Sequence, residues 1–353
     1  MKLPLFSLIA AIGASFLLVP RGSAQELPYQ IFERYLEPLA QQIGMPGLSA
    51  VIVRNNRIEW EKGYGFSDVE NKVRATPDTL YPIGGVTQAM SAVLLAICTD
   101  RLALEVDTGM RKWVPAFPED ASVRHVLAHV SEGRYVYDPS RYAALTPVVE
   151  DCTKRPFRVA LADEILQSLA MTSSVPGLDL GQPSGQAARD LFDPARVAQY
   201  QDRLTRLAKP YRIDRNRQAQ PSSYPPYGLD ASGGMVSSAR DLAGFEAELD
   251  DNINNVPISL STLDKMWTPF MFDTGAAAPT GQGWFVQTTS QERLVWTFGH
   301  IPDAASALIV KMPSKRLTLV LLSNSGGLAN TYELEKGDVT TSPFVKIFLR
   351  LFI

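Results

Sequence analysis

The sequence predicts an α/β protein whose antiparallel sheet is built from both ends of the chain, flanked by helices and interrupted by an all-helical insertion. Three observations carry this. Strand-like apolar runs cluster at 47–65 and again at 284–324, the stretch between 107 and 227 has helical spacing broken by prolines, and an apolar helical pattern begins at Val86. The division that follows is an α/β domain from 25–106 and 228–353 with a helical insertion at 107–227. That arrangement places a cleft between two lobes.

From the N-terminus, Lys2, the apolar run Leu3 to Val19 and the small residues Gly22 and Ala24 read as a secretory signal peptide over 1–24. The expected location is periplasmic or secreted. A membrane anchor is the weaker alternative, because the run is short and Pro20 and Arg21 interrupt it, so no transmembrane span is expected in the mature chain. Glu26 to Gln42 has helical spacing of Ile31, Tyr35, Leu36 and Leu39. Gly47 to Val53 reads as a buried strand, Asn55-Asn56 as a turn, and Arg57 to Gly65 as the returning strand. Val86 to Asp100 is predicted helical, with Ala89, Val93, Leu94 and Ile97 on one apolar face. Asp163 to Ala170 is a helix of the insertion, and Ser238 is placed to cap another. Trp284 to Thr289, Leu294 to Phe298, Ala305 to Met312 and Leu317 to Asn324 form four successive strands. Phe344 to Ile353 closes the chain as an apolar helix packed on the sheet, with a membrane-binding tail as the alternative. Cys98 and Cys152 both fall in apolar helical patterns and are expected as two buried free thiols rather than a disulfide.

Composition narrows the function classes. Hydrophobic residues make up 45% and charged residues 20%, with 34 Lys plus Arg against 37 Asp plus Glu, so nothing suggests nucleic-acid binding. The histidines are His125, His129 and His300. The first two are spaced i, i+4, but no Glu stands at the intervening position a zinc enzyme would use, so neither a metal nor a cofactor is expected. The acidic pairs Glu119-Asp120, Glu150-Asp151 and Asp250-Asp251 read as solvated charges, as does the Arg-rich run from Arg203 to Arg217.

Several segments together carry a family resemblance. They are Met45-Pro46-Gly47-Leu48-Ser49-Ala50-Val51, Gly63-Tyr64-Gly65-Phe66, Thr76-Pro77-Asp78-Thr79-Leu80-Tyr81-Pro82-Ile83-Gly84, Val126-Leu127-Ala128-His129-Val130-Ser131, Gly233-Gly234-Met235-Val236-Ser237-Ser238-Ala239-Arg240-Asp241-Leu242 and Leu319 to Asn324. In this combination the chain resembles the penicillin-recognising serine hydrolases, the group of class C β-lactamases, penicillin-binding DD-peptidases and related esterases. The resemblance implies a β-lactamase/transpeptidase-like fold. It also implies a Ser-x-x-Lys nucleophile at a helix start, a Tyr-x-Asn motif, a Lys/His-x-Gly strand edge and an oxyanion hole of two backbone N–H groups.

The positions that match those motifs have changed. Gly85 stands at the serine and Gln88 at the lysine, and no Ser-x-x-Lys occurs in the mature chain. Tyr137 survives, but Pro139 replaces the asparagine. His300 survives, but Pro302 replaces the glycine. The loop before Tyr137 is also shorter than the family's usual cleft-lining segment. Gly85 N–H would be one oxyanion donor and the other would come from near Asp303. The expected cleft is lined by Gly85, Thr87, Gln88, Tyr137, His300 and Asp303. The reading is an exported, monomeric pseudoenzyme that binds a cell-wall peptide, a small acyl ligand or a protein partner. The alternative is a hydrolase with displaced chemistry, using Tyr137 and His300.

Overall fold

The computed structural model describes residues 23–226, 228–251 and 258–353. The expected signal peptide, 1–24, lies outside the described residues except for its last two positions. The first helix, α1 (Ser23–Ile43), buries Phe32, Leu36 and Ala40 and leads into β1 (Gly47–Arg54). Asn55 and Asn56 both adopt positive φ, 49° and 63°, the geometry of a tight hairpin turn, and return the chain as β2 (Arg57–Asp68). A short β3 (Val73–Arg74) follows. Then come the helices α2 (Val86–Asp100), α3 (Thr146–Thr153) and α4 (Ala239–Asp251). The C-terminal strands are β4 (Phe285–Thr288), β5 (Arg293–Ile301), β6 (Ala305–Met312) and β7 (Leu317–Ser323), and α5 (Pro343–Phe352) ends the fold.

These strands form one antiparallel sheet in the order β4-β5-β6-β7-β1-β2-β3. The last strand of the chain therefore pairs with the first, Val51 opposite Val320, and the two ends are stitched together at the sheet centre. Both sheet faces are covered, which is why β1 and β7 read as unbroken apolar runs. Leu48, Ala50 and Ile52 face a core shared with α1 and α5, while Val51 and Val53 face a second core containing α2 and α4. The terminal helix packs Phe344, Val345, Phe348 and Phe352 into the first core, with Phe348 edge-on to Phe32 at 6.0 Å. Among the described residues no helix is long and apolar enough to cross a membrane.

Five sequence expectations need correction, the last being that the insertion is all-helical. Helix α2 is buried on all sides from Val86 to Cys98, not on one face, because it runs between the sheet and the helical segment. Cys98 and Cys152 form a disulfide, with Cα atoms 5.9 Å apart. The apolar patterns that suggested separate buried thiols belong to α2 and α3, which pack on each other, so burial and pairing coincide here. The stretch from Asp163 is reached through a short α-helix at Phe157–Leu161 and runs as π-helix over Ala162–Gln167. Asp250 is not a solvated charge: its side chain is 5% exposed and bonds Lys311. Between 107 and 227 two short hairpins, Val130–Ser131 with Arg134–Tyr135 and Tyr211–Ile213 with Ala219–Pro221, accompany the helices. The first of them delivers Tyr137 to the cleft.

Candidate functional site

The loop Ile83-Gly84-Gly85 opens α2 and lies directly on β5. Gly84 takes φ +51°, and its O accepts from Thr87 N–H to start the helix. Gly299 on β5 faces this loop so closely that a Cβ there would sit 1.8 Å from Ile83 O. Only glycine permits this approach. Gly85 itself is crowded: a Cβ would lie 2.8 Å from Phe298 O and 3.0 Å from Tyr137 Oη. At the serine position there is no nucleophile, and strand backbone and a phenol lie where a side chain would begin.

One turn on, Gln88 is buried and bonded through its Oε1 to His129 Nε2 at 3.0 Å. Asp138 N–H donates to His129 Nδ1 at 3.2 Å, so Nδ1 is the acceptor and Nε2 carries the proton. The ring is neutral, because burial pushes its pKa down from 6.5 to about 3. His129 lies between Tyr137 and Tyr142, with ring centroids 4.6 Å and 5.1 Å away, and Tyr142 Oη donates to Gln88 O at 3.1 Å. The His129 bond fixes the Gln88 side-chain amide with its oxygen toward the ring, while Tyr142 holds the Gln88 main-chain carbonyl. Its Nε2 faces the Tyr137 hydroxyl and is 3.8 Å from the Cβ position of Gly85. From the sequence, His129 is expected only not to hold a metal. The structure makes it the group that orients Gln88.

Tyr137 stacks on Phe298, with centroids 5.4 Å apart, and burial raises its pKa above the ordinary phenol value. Its hydroxyl stays protonated near neutral pH, which removes it as a ready base or nucleophile. Pro139 has a local explanation. It is the first residue of a helical turn, Pro139–Tyr142, whose N-cap Asp138 accepts from Arg141 N–H, a position where proline's missing donor costs nothing. His300 sits exposed near the end of β5, and Pro302 and Asp303 form the turn into β6, closed by Ala304 N–H to Ile301 O.

These elements enclose a cavity of about 780 Å³. Of the sequence-predicted residues, Gly85, Tyr137, Pro139, His300 and Pro302 line it. Thr87 and Gln88 lie in the buried layer behind it, and Asp303 sits in the turn with φ +57° and its carbonyl bonded by Ser222 Oγ at 2.5 Å. The structure adds residues the sequence did not single out, chiefly Asp230, Ser232, Glu333 and Glu335. Asp230 accepts from both the N–H and the hydroxyl of Ser232 at 2.7 Å, which occupies that serine in a turn. Its place just before Gly233-Gly234 was the available signal. His125 and His129 serve different partners, His125 closing a capping box with Ser122.

A helix start, a tyrosine after a hairpin and a histidine-bearing strand edge, converging on one cavity beside an antiparallel sheet, are the layout of a penicillin-recognising serine hydrolase. The chain belongs to the Beta-lactamase family, which it matches over residues 32–336. Its fold is similar to the octameric penicillin-binding protein homologue from Pyrococcus abyssi, at TM-score 0.73 and 20% identity, covering 91% of this chain and 77% of that one. It is also similar to a class C β-lactamase from Rhodobacter sphaeroides, at TM-score 0.67 and 15% identity, covering 93% of this chain and 100% of that one. Among curated relatives, the Staphylococcus aureus (strain MW2) Protein flp is 22% identical over 84% of this chain and 63% of its own length. The human mitochondrial serine beta-lactamase-like protein LACTB is 27% identical over 28% of this chain and 20% of its own length. The chain thus spans only part of these curated relatives.

Proposed function

We propose that this protein is an exported, catalytically inactive member of the family that binds a ligand in the former active-site cleft. The ligand classes that fit the fold are a cell-wall peptide, a small acyl compound or a protein partner, bound by a monomer. The observation that carries the reading is the crowding at Gly85, where a Cβ would meet Phe298 O at 2.8 Å and Tyr137 Oη at 3.0 Å. A side chain there would force its neighbours to shift, and lacking the nucleophile alone costs about 10⁶ in turnover in a well-studied serine hydrolase. Gln88 cannot carry a proton as the family lysine does. Export is supported by the leader-like N-terminus and by the Cys98–Cys152 disulfide, which suits an oxidising compartment.

A second reading, hydrolysis through displaced chemistry, draws on Tyr137 and His300 lining the same cavity. The two are separated by incubating intact protein with a chromogenic cephalosporin and with a short-chain p-nitrophenyl ester, then weighing the protein. The expected result is no turnover and no mass increase. Turnover that disappears in Tyr137→Phe or His300→Ala overturns the proposal.

A further inference from the structure

The end of the sheet away from the cleft carries a surface of its own. Strand β5 runs from Arg293 to Ile301, and the cleft gathers where it ends, around His300 and Ile301. At its start, roughly 26 Å away at the rise of a strand, lie the turns β1–β2, β6–β7 and β4–β5. Asn55 N–H donates to Arg316 O at 2.9 Å, and Ser314 Oγ donates to Glu292, which ties the three turns together. Helix α5 ends on the same edge, with the Arg54 guanidinium 5.7 Å from the Phe352 ring centroid. Tyr29, near the start of α1, lies against Phe352 with centroids 5.2 Å apart. This end is basic: Arg57, Arg316, Lys346 and Arg350 are exposed, and Arg54 and Lys315 are half-buried. The acids beside them are Glu59, 3.4 Å from Arg54, and Glu292. The whole chain has a net charge of -3, so cations are concentrated here against the overall balance. Three large apolar side chains stand exposed among them, Leu27 at 54%, Ile58 at 39% and Ile353 at 38%. They surround Phe352: Leu27 lies two residues before Tyr29, Ile58 precedes the Glu59 that accepts from Tyr29 Oη, and Ile353 follows Phe352 itself. The chain enters α1 at Ser23 on this side, and the residues before it include Lys2, the apolar run Leu3 to Val19 and Arg21.

We propose that this end of the molecule rests on the surface of a bilayer with anionic headgroups, so that the cleft opens away from the membrane. Arg57, Arg316, Lys346 and Arg350 meet the headgroup phosphates, and Leu27, Ile58 and Ile353 enter the layer between headgroups and acyl chains. The long stems of the lysines and arginines let their charges stay at the phosphates while the apolar groups sink past them. A soluble polyanion such as a nucleic acid would use the cations alone and would leave the three apolar side chains in water. The contact is independent of what the cleft binds.

The test is co-sedimentation of the exported protein with vesicles of phosphatidylcholine alone and of phosphatidylcholine mixed with phosphatidylglycerol. Partitioning to the anionic vesicles should be about tenfold or more stronger at low salt, with the gap narrowing as ionic strength rises. Arg57→Glu/Lys346→Glu/Arg350→Glu should lose about tenfold or more of that binding. Arg111→Glu/Arg134→Glu/Lys154→Glu changes the net charge equally at exposed cations of the 107–227 segment, and should lose less than about threefold. Leu27→Ser/Ile353→Ser should weaken vesicle binding about two- to fivefold. Urea midpoints show which variants are folded, and the salt series on the parent protein reads the charge contribution without any variant. Equal partitioning to the two vesicle types, or equal losses in the two triple variants, overturns the proposal. Binding of a DNA duplex without binding to either vesicle overturns it in favour of a site for soluble polyanions.

Discussion

Two buried polar clusters lie on the same side of the sheet and treat charge in opposite ways. Around α2, Gln88, His129 and Tyr142 are linked by neutral hydrogen bonds, and Asp138 joins through its backbone N–H rather than its carboxylate. Behind β6, Lys311 is 1% exposed and is met by carboxylates. Its Nζ reaches Asp250 Oδ1 at 2.8 Å, Glu246 Oε2 at 3.0 Å and Glu246 O at 3.0 Å, and it lies 4.9 Å over the Trp267 ring. Burial pulls the Lys311 ammonium down, but the two carboxylates more than offset it, and its pKa stands above the ordinary value. The fold can thus bury a lysine where acids meet it. Position 88 offers an imidazole N–H instead, and there a neutral glutamine fits.

The largest test of this contrast is Lys311→Met. It leaves Glu246 and Asp250 facing each other without a cation, and breaking a buried pair in this way costs about 3–5 kcal/mol. Urea unfolding at neutral pH should show that loss as a lower midpoint with an unchanged slope. A loss below about 1 kcal/mol would mean that the acids find water or protons without difficulty, and the ionic description of this cluster would fall.

The next effect is a pH dependence that belongs to the neutral cluster. His129 has its folded pKa lowered from 6.5 to about 3 by burial. Below pH 6.5 the unfolded chain takes up a proton that the folded chain refuses, so stability falls as pH drops and goes on falling until about pH 3. At pH 5 the loss attributable to this residue is about 2 kcal/mol. His129→Asn keeps a residue that tolerates the positive φ of 52° and removes the titration. Chemical unfolding of both proteins at pH 7 and pH 5 should show the flatter profile in the variant. Parallel profiles would mean that His129 protonates in the folded state and the cluster is not neutral.

The sequence made the framework legible because its signals were local. Strand runs, the Asn55-Asn56 turn, the Ser238 cap and the terminal helix each depend on neighbours a few residues away. The motif positions were legible for the same reason, since Gly85 and Gln88 sit inside matching flanks. What the sequence could not reveal depends on long-range packing. Cys98 meets Cys152 only because α2 packs on α3, and Asp250 leaves water only because Lys311 on β6 lies opposite. The acids of the cavity come from 230 and 333–335, about a hundred residues apart, and no spacing rule joins them.

The smallest effect addresses the cleft itself. Gly85→Ser introduces a Cβ at 2.8 Å from Phe298 O and 3.0 Å from Tyr137 Oη. The Tyr137 hydroxyl is at the end of a side chain, but the carbonyl is backbone of β5, which is held in register by β6 where Phe298 pairs with Leu308. Relief must come from a shift of the α2 start, which Gly299 beneath it restricts. The expected destabilisation is about 1–2 kcal/mol, in the range for overpacking a filled site. The Gly85→Ser/Gln88→Lys variant should remain silent toward a chromogenic cephalosporin, because its lysine would face the His129 N–H and its serine would sit displaced. Hydrolysis by that double variant would show that the cleft reopens at little cost. The closure around Gly85 would then follow from the lost side chain, not stand as a barrier of its own.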